Sequence, residues 1–234
     1  MAIKNVSKDF LPSITNPLYF IRSGLYKGIA KQSNQLKGNL LDFGCGQKPY
    51  KSLFNVDSYI GIDYENPGHN HENENIDIFY DGKNIPFDNE HFDSILCSEV
   101  FEHLFDIEGT LQELNRVLRP GGKLLVTCPF VWNEHEVPHD YARYTVFALK
   151  HLFAKHGFNV INFEKSGTFV QAIEQMRRLY FFCYITPYIL KIPGGKFMND
   201  LIISLLNIKS ICKNFFLRKG YDFYLSNIFL VEKI

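Results

Sequence analysis

Residues 40 to 46, Leu40-Leu41-Asp42-Phe43-Gly44-Cys45-Gly46, constrain the fold of this 234-residue chain more than any other stretch. A short apolar run ends in an acid and then breaks into a turn with two glycines. That is the pattern of a buried strand whose C-terminal end lets something approach its backbone closely. Glycine at 44 and 46 removes the Cβ atoms that would block a ligand and permits positive φ in the turn. At the mouth of an open α/β sheet, such a turn is where ligands sit. A dinucleotide fingerprint would place its third glycine at position 49, which is Pro49 here. Asp42 is better suited to a positively charged ligand than to a pyrophosphate.

Further strands follow at α/β spacing. Tyr59-Ile60-Gly61-Ile62-Asp63 is a second apolar run ending in an acid, and Asp63 lies 19 residues beyond Gly44. An acid there can accept hydrogen bonds from both hydroxyls of a ribose. Residues 76–81 read as a third strand, 91–98 as a fourth, 123–127 as a fifth, 158–163 as a sixth, and 224–231 as a late one. Asp106 caps a helix with Ile107, Leu111, Leu114, Val117 and Leu118 on one face, ended by Arg119-Pro120-Gly121-Gly122. Thr145 caps another with Val146, Leu149, Leu152 and Phe153, stopped by Gly157. Near the N-terminus, Asn16-Pro17 precedes Leu18, Ile21, Leu25 and Ile29 at helical spacing, although Gly24 and Gly28 weaken that helix. It is either a lid over the ligand or a packing helix, and packing is the expectation.

These segments, in this order, resemble the class I S-adenosylmethionine-dependent methyltransferases of the type 11 kind. Asp42 to Gly46 is similar to their D-x-G-x-G motif, with Lys48 where many members have a third glycine. Asp81-Gly82-Lys83-Asn84-Ile85-Pro86-Phe87 is similar to D-x-x-x-L-P-F, and Phe92-Asp93-Ser94-Ile95 with Glu102-His103-Leu104 to F-D-x-I followed by E-H-L. The run from Leu111 to Leu124, ending R-V-L-R-P-G-G-K-L, is the most diagnostic span. The resemblance implies an α/β fold with a Rossmann-like seven-stranded, mostly parallel sheet, helices on both faces, and a last strand lying antiparallel between the fifth and sixth. It also implies a domain over residues 37–234, a helical segment over 1–36, and a helical insertion over 167–220. The implied cofactor is S-adenosyl-L-methionine, leaving as S-adenosyl-L-homocysteine. Phe43, Gly44, Cys45 and Gly46, with Asp42, would lie against its amino-acid portion, and Asp63 would hold the ribose. Tyr64 would lie along the adenosine, and Asp81 with Gly82 would take the adenine amino group. Ser98, Glu99 and His103 would face the methionine moiety, while the Glu102-His103 pair braces the sheet edge.

Between Cys128 and Thr145 the chain holds His135-Glu136-Val137-Pro138-His139, which reads literally as the zinc-peptidase motif H-E-x-x-H. That chemistry needs both histidines on one helical face, and Pro138 disfavours a helix here. No metal is expected on this basis. The same holds for His69 and His71, which read as part of a solvated loop. Because the segment leaves the C-terminal end of the fifth strand, its titratable groups are candidates for acceptor chemistry. Its P-H-D-Y-x-R-Y-T portion resembles a stretch common in methyltransferases encoded with cell-surface glycan synthesis. If the acceptor is a hydroxyl, His139 is the first candidate base and His135 the second. Asp140 would orient a histidine, and Arg143 would either hold an acidic group on the acceptor or brace the loop.

A formal net charge of zero offers no global attraction to nucleic acid. That zero hides an asymmetry, because residues 165–219 hold nine cations against two acids, +7 in formal charge. The five cysteines are odd in number and far apart, which suggests a reducing, cytoplasmic compartment. Residues 179–190 and 201–208 are apolar but too short to span a bilayer. Residues 167–220 therefore read as a substrate cover or homodimer interface, or as a basic aromatic face lying on the inner surface of a membrane. The expected function is methyl transfer to a sugar hydroxyl of a glycan precursor or to another small molecule, including a quinone-like one. The alternatives are a catalytically silent binding protein on the same fold and an NAD-dependent oxidoreductase.

Overall fold

The structure, a computed structural model, describes residues 10, 12–64 and 75–234. His69 and His71 lie outside the described residues. Seven strands form one sheet in the order β3-β2-β1-β4-β5-β7-β6. They are β1 (Asn39–Phe43), β2 (Ser58–Tyr64), β3 (Ile78–Tyr80), β4 (Phe92–Ser98), β5 (Leu118–Pro129), β6 (Phe158–Ser166) and β7 (Ser226–Lys233). Pairings among β1 to β5 are parallel, and β7 runs antiparallel to both β5 and β6. The last strand thus inserts between the fifth and sixth, as the resemblance implied. Parallel pairing has one consequence for function: it aligns the C-terminal ends of β1, β2 and β4 on one edge, with Phe43 opposite both Ile62 and Cys97.

Successive strand side chains point to opposite faces, so alternate residues feed two apolar layers. Leu41, Phe43, Leu124 and Val126 pack with Leu111 and Leu114 of α2 (Ile107–Val117) and Leu149 and Phe153 of α3 (Val146–Lys155). On the other face, Leu40 and Leu125 pack with Ile21, Leu25 and Ile29 of α1 (Tyr19–Gln32). Both expected caps form: Asp106 accepts from the Gly109 N–H at 2.9 Å, and Thr145 from the Ala148 N–H at 3.2 Å.

Helix α1 begins at Tyr19, with the Asn16 side chain accepting from the Leu18 N–H at 2.8 Å. Its glycines serve a purpose that helix propensity alone obscures. A Cβ on Gly28 would stand 2.0 Å from Ile228 Cδ1, so glycine lets the helix settle directly onto β7. The loss of propensity, about 1 kcal/mol per glycine, is exchanged for close packing on the sheet.

Residues between β6 and β7 form α4 (Phe169–Tyr184), α5 (Thr186–Ile189) and α6 (Gly195–Phe216). Pro187 starts a new helix because it cannot continue α4. The α4 and α6 helices dock on the N-terminal segment through buried polar side chains. Gln175 donates to the Pro17 carbonyl at 2.9 Å and accepts from the Phe20 N–H at 3.1 Å. Asn207 donates to the carbonyls of Ile14 and Asn16 at 2.7 and 3.0 Å. Arg178, 1% exposed, donates to Ser210 Oγ at 3.0 Å, and Ser210 in turn donates to Glu174 at 2.9 Å. Outward, Tyr180, Tyr184, Phe197, Leu201, Leu205 and Ile208 are exposed. Among the described residues, no helix is long and apolar enough to cross a membrane.

Gln175 is fully buried and ties α4 to the start of α1. Gln175→Ala leaves a buried N–H and a buried carbonyl without partners, a loss of about 1–3 kcal/mol each at most. Urea unfolding should show a lower midpoint with an unchanged slope.

Candidate functional site

A cavity of about 1070 Å³ opens at the C-terminal ends of β1, β2 and β4. The turn after β1 forms one wall. Gly44 has φ +69°, and a Cβ there would stand 2.4 Å from Val100. The Gly44 and Cys45 N–H groups donate to the Ile62 carbonyl at 2.9 and 3.1 Å, and Gly46 N–H donates to Asp63 Oδ2 at 2.9 Å. Lys48 takes the left-handed conformation (φ +51°) that a glycine usually fills, and its buried ammonium meets Asp77 at 2.5 Å. Asp77 also accepts from the Gly61 N–H at 2.7 Å, so the turn is pinned to β2 from below.

Of the residues expected to hold a cofactor, Asp42, Phe43, Gly44, Cys45, Gly46, Asp63, Tyr64, Asp81, Gly82, Ser98, Glu99 and His103 all line this cavity. Asp63 Oδ1 accepts from the Tyr64 N–H at 2.8 Å, which leaves its carboxylate at the tip of β2 facing the turn. Asp81 Oδ1 accepts from the N–H groups of Lys83 and Asn84, both at 2.8 Å, and the Asn84 and Lys83 N–H groups hold its carboxyl below the usual range. Tyr64 stands beside Gly82, where a Cβ would meet its ring at 3.0 Å.

Asp42 is 3% exposed, and burial lifts its carboxyl to about 7 although the Tyr59 hydroxyl donates to it at 2.5 Å. Burial likewise lifts Glu99 to about 7. Glu99 has φ +56°, fixed by its N–H bond to the Thr127 carbonyl at 2.9 Å, and its Oε1 is buried without a partner. Burial pushes the Cys45 thiol up, so it is no nucleophile.

Sequence reasoning missed Arg22, Tyr50, Trp132 and Tyr141, which also line the cavity. Arg22 lies beside Tyr50 and Glu99 and lowers the pKa of both. Its signal was present: with Leu18, Leu25 and Ile29 it falls on the apolar stripe of α1, an unusual place for a cation. So α1 packs on the sheet and also walls the cavity.

The opposite wall holds Glu102, His103, His135, Glu136 and His139. Residues 136–139 form a turn, not a helix, so His135 and His139 do not pair as in a zinc peptidase. His135 instead faces the fourth strand's end, with its Nε2 3.9 Å from Glu102 Oε1. The structure divides the roles expected of Glu102 and His103 at the sheet edge, where His103 Nδ1 lies 2.8 Å from the His139 carbonyl. Glu102 braces through its backbone carbonyl, which accepts from Tyr141 and Ala142 at 2.7 and 3.2 Å. Its carboxylate is fully buried and both oxygens lack a hydrogen-bond partner. Burial, and then the Glu99 charge, push that carboxyl well up.

His139 Nδ1 lies 3.0 Å from the Tyr141 hydroxyl, and both residues face the cavity. Asp140 and Arg143 are not among the lining residues. They bond each other in a fork, at 2.5 and 2.7 Å, and Asp140 accepts from the His135 N–H at 3.0 Å. Burial pushes the Asp140 carboxyl up, but Arg143 and the His135 N–H outweigh it and hold it at about 2. Arg143 therefore braces the loop; it does not reach toward an acceptor.

Residues 19–162 match the methyltransferase domain family. The chain belongs to that family. The demethylmenaquinone methyltransferase of Staphylococcus saprophyticus is 30% identical over 112 residues, covering 42% of this chain and 48% of that protein. A ubiquinone/menaquinone biosynthesis C-methyltransferase of Shewanella oneidensis is 43% identical over 53 residues, covering 23% of this chain and 21% of that one. The chain thus spans about half or less of the curated relatives it matches.

Among solved structures, the [4+2]-cyclase SpnF aligns with a TM-score of 0.57 at 16% identity, covering 91% of this chain and 80% of the other. Phosphoethanolamine N-methyltransferase 2 of Haemonchus contortus, solved with S-adenosyl-L-methionine, aligns with a TM-score of 0.54 at 17% identity, covering 89% and 52%. A methyltransferase structure from Bacillus halodurans gives 0.53 at 17%, covering 90% and 99%. These likenesses establish the Rossmann-like methyltransferase fold. Family and fold together place the chain among the methyltransferase-domain proteins on a Rossmann-like sheet.

Because the Asp42 carboxyl is raised to about 7 by burial, the folded protein holds a proton that the unfolded chain releases near pH 4. Its contribution to stability is full below about pH 4 and is lost as pH rises through about 7. In urea titrations across that window, Asp42→Asn should lose less stability with rising pH than the wild type does.

Proposed function

We propose that this chain binds S-adenosylmethionine in the 1070 Å³ cavity and transfers its methyl group to the hydroxyl of a small acceptor, a sugar of a cell-surface glycan precursor being the leading class. The observation that carries the reading is the sign of the cavity. Asp63, Asp81, Asp106 and Glu136 line it together with Asp42, Glu99 and Glu102, buried carboxyls whose charged form a cation would favour, with Glu99 Oε1 buried and unpartnered, against the cations Arg22 and Lys83. A ligand bearing an ammonium and a sulfonium suits such a lining. The cradle fits as well, since Gly44 and Gly46 take positive φ and a Cβ on Gly44 would meet Val100 at 2.4 Å, so glycine keeps the turn in a shape that bares its backbone to the cavity.

When bound, the cofactor supplies an electrophilic methyl on a positively charged sulfur. The chain's residues have the remaining tasks. Asp63 would accept from the ribose hydroxyls, Tyr64 and Gly82 would hold the base, and Arg22 would take the carboxylate. His139, with the Tyr141 hydroxyl 3.0 Å from its Nδ1, would take the proton of the acceptor hydroxyl to which the cofactor would give its methyl group. Asp140 and Arg143 act by positioning the loop that carries both histidines.

A second reading, methylation of a quinone precursor, is supported by the names of the curated relatives and by Trp132, Phe105 and Tyr141 in the lining. Calorimetry should show S-adenosylhomocysteine binding, weakened about tenfold or more in Asp63→Ala through loss of two charge-assisted hydrogen bonds. His139→Ala should keep that affinity and lose turnover with radiolabelled donor, assayed on sugar and quinol panels. Intact turnover would remove His139 as the base, and absent donor binding by the wild type would sink the reading.

We propose further that the exposed face of α4–α6 rests on an anionic bilayer. Exposed Phe197, Leu201, Leu205 and Ile208 adjoin exposed Arg177, Lys191, Lys196 and Lys209, which pairs apolar insertion with attraction to acidic headgroups. Vesicles containing phosphatidylserine should co-sediment the protein, and neutral vesicles should not. Dimerisation without vesicle binding would assign the face to a second copy of the chain.

A further inference from the structure

Glu102, His103 and His135 each offer one ligand atom, and the three atoms lie within 4.8 Å of one another. His103 and His135 pack edge to face with ring centroids 4.7 Å apart. His103 Nε2 stands 3.8 Å from Glu102 Oε1, and His135 Nε2 stands 3.9 Å from the same oxygen. Glu136 Oε2 is 3.8 Å from His103 Nε2. These separations are too long for hydrogen bonds, yet the atoms converge on one point.

The outer contacts fix what each imidazole presents. His103 Nδ1 lies 2.8 Å from the His139 carbonyl, an acceptor only, so Nδ1 carries the proton and Nε2 a lone pair. His135 Nδ1 lies 3.2 Å from both the Asn133 carbonyl and Asp140 Oδ2, again acceptors only. Its Nε2 therefore also presents a lone pair. Two lone pairs thus face a buried carboxylate whose oxygens have no partner. Acceptors facing acceptors with no donor between them is an unfavourable arrangement. A single proton on Glu102 satisfies only one of the two imidazoles, whereas a cation at their centre satisfies both and the carboxylate together.

We propose that Glu102, His103 and His135 hold a divalent first-row metal ion such as Zn²⁺ or Mn²⁺. Around such an ion, ligand atoms at about 2.1 Å stand roughly 3–3.5 Å apart, so the two Glu102–histidine separations would close by roughly half an ångström and the two imidazole nitrogens by more, through side-chain rotation. Paired imidazoles with a carboxylate favour this class over Mg²⁺ or Ca²⁺, which prefer all-oxygen shells. The Arg143–Asp140–His135 chain is the outer support that orients a ligating histidine. Glu136 stands at the more exposed side as a further carboxylate. His135 and His103 line the cavity, so an open coordination position faces it. On the methyltransferase reading, to which this last step alone is tied, that position receives the acceptor's oxygen and lowers the pKa of its hydroxyl for His139 to deprotonate.

The test uses full-length protein stripped with a chelator and titrated with Zn²⁺, Mn²⁺ or Co²⁺ alone. Calorimetry should show one ion per chain, and Co²⁺ should give a visible ligand-field band. Glu102→Gln, His103→Ala and His135→Ala should each abolish the band. Asp140→Asn should weaken binding by about 10–100-fold, as loss of an outer-shell partner does. His151→Ala, on the exposed side of α3, should change nothing. Near-ultraviolet circular dichroism and S-adenosylhomocysteine titration of each variant separate lost ligands from lost folding. No stoichiometric binding by the wild type, or binding that survives His103→Ala and His135→Ala, overturns the site. Metal binding without donor binding would leave the site standing and remove the acceptor step.

Discussion

The hydrogen bond from the Gly46 N–H to Asp63 joins the tips of two neighbouring parallel strands, and the cavity takes shape around it. Parallel pairing brings all the C-terminal strand ends to one edge, where the backbone leaves the ladder and its polar groups become available. Gly44 spares the turn a Cβ that would collide with Val100, and the buried Lys48 ammonium, paired with the more exposed Asp77, pins the turn from beneath. The carboxylate that closes the turn is also the one proposed to hold a ribose. Structural and binding roles are therefore carried by the same atoms.

That edge gathers carboxylates at a density few protein interiors tolerate. Asp42 and Glu99 stay near pH 7 in their titration because burial disfavours charge, while Tyr59 and Arg22 moderate the cost without removing it. Glu102 goes further, with two buried oxygens and no donor. A protein keeps such groups where a ligand supplies the missing charge. The cavity has a carboxylate-lined end built on β1 and β2, the proposed cofactor end, and a histidine–glutamate end built on the segments after β4 and β5.

The insertion α4–α6 is coupled to this site through α1. Its buried Gln175 and Asn207 bond the backbone that launches α1, and α1 delivers Arg22 to the cavity wall. Contacts made by α4–α6 can thus reach the site through one rigid helix, because glycine at 28 seats that helix on β7 with no slack.

Local patterns in the sequence were enough for the sheet, the caps at Asp106 and Thr145, the turn at residues 44–46, and the acids ending β1 and β2. Each depends on neighbours within one strand or one helical turn, whose physics is short-range. The place of β7 came from family resemblance. Arg22, Tyr59 and Lys48 were harder to read, because each acts on a partner far along the chain: Glu99, Asp42 and Asp77. The tertiary fold alone decided that His135 faces Glu102 and His103, which lie 33 and 32 residues earlier in the chain. Asp140 and Arg143 turned to each other for the same reason, since a loop's side chains find partners only once the strands beneath it are set. Sequence fixes which groups exist and their local geometry; long-range packing decides which of them meet, because that depends on distances no local pattern encodes.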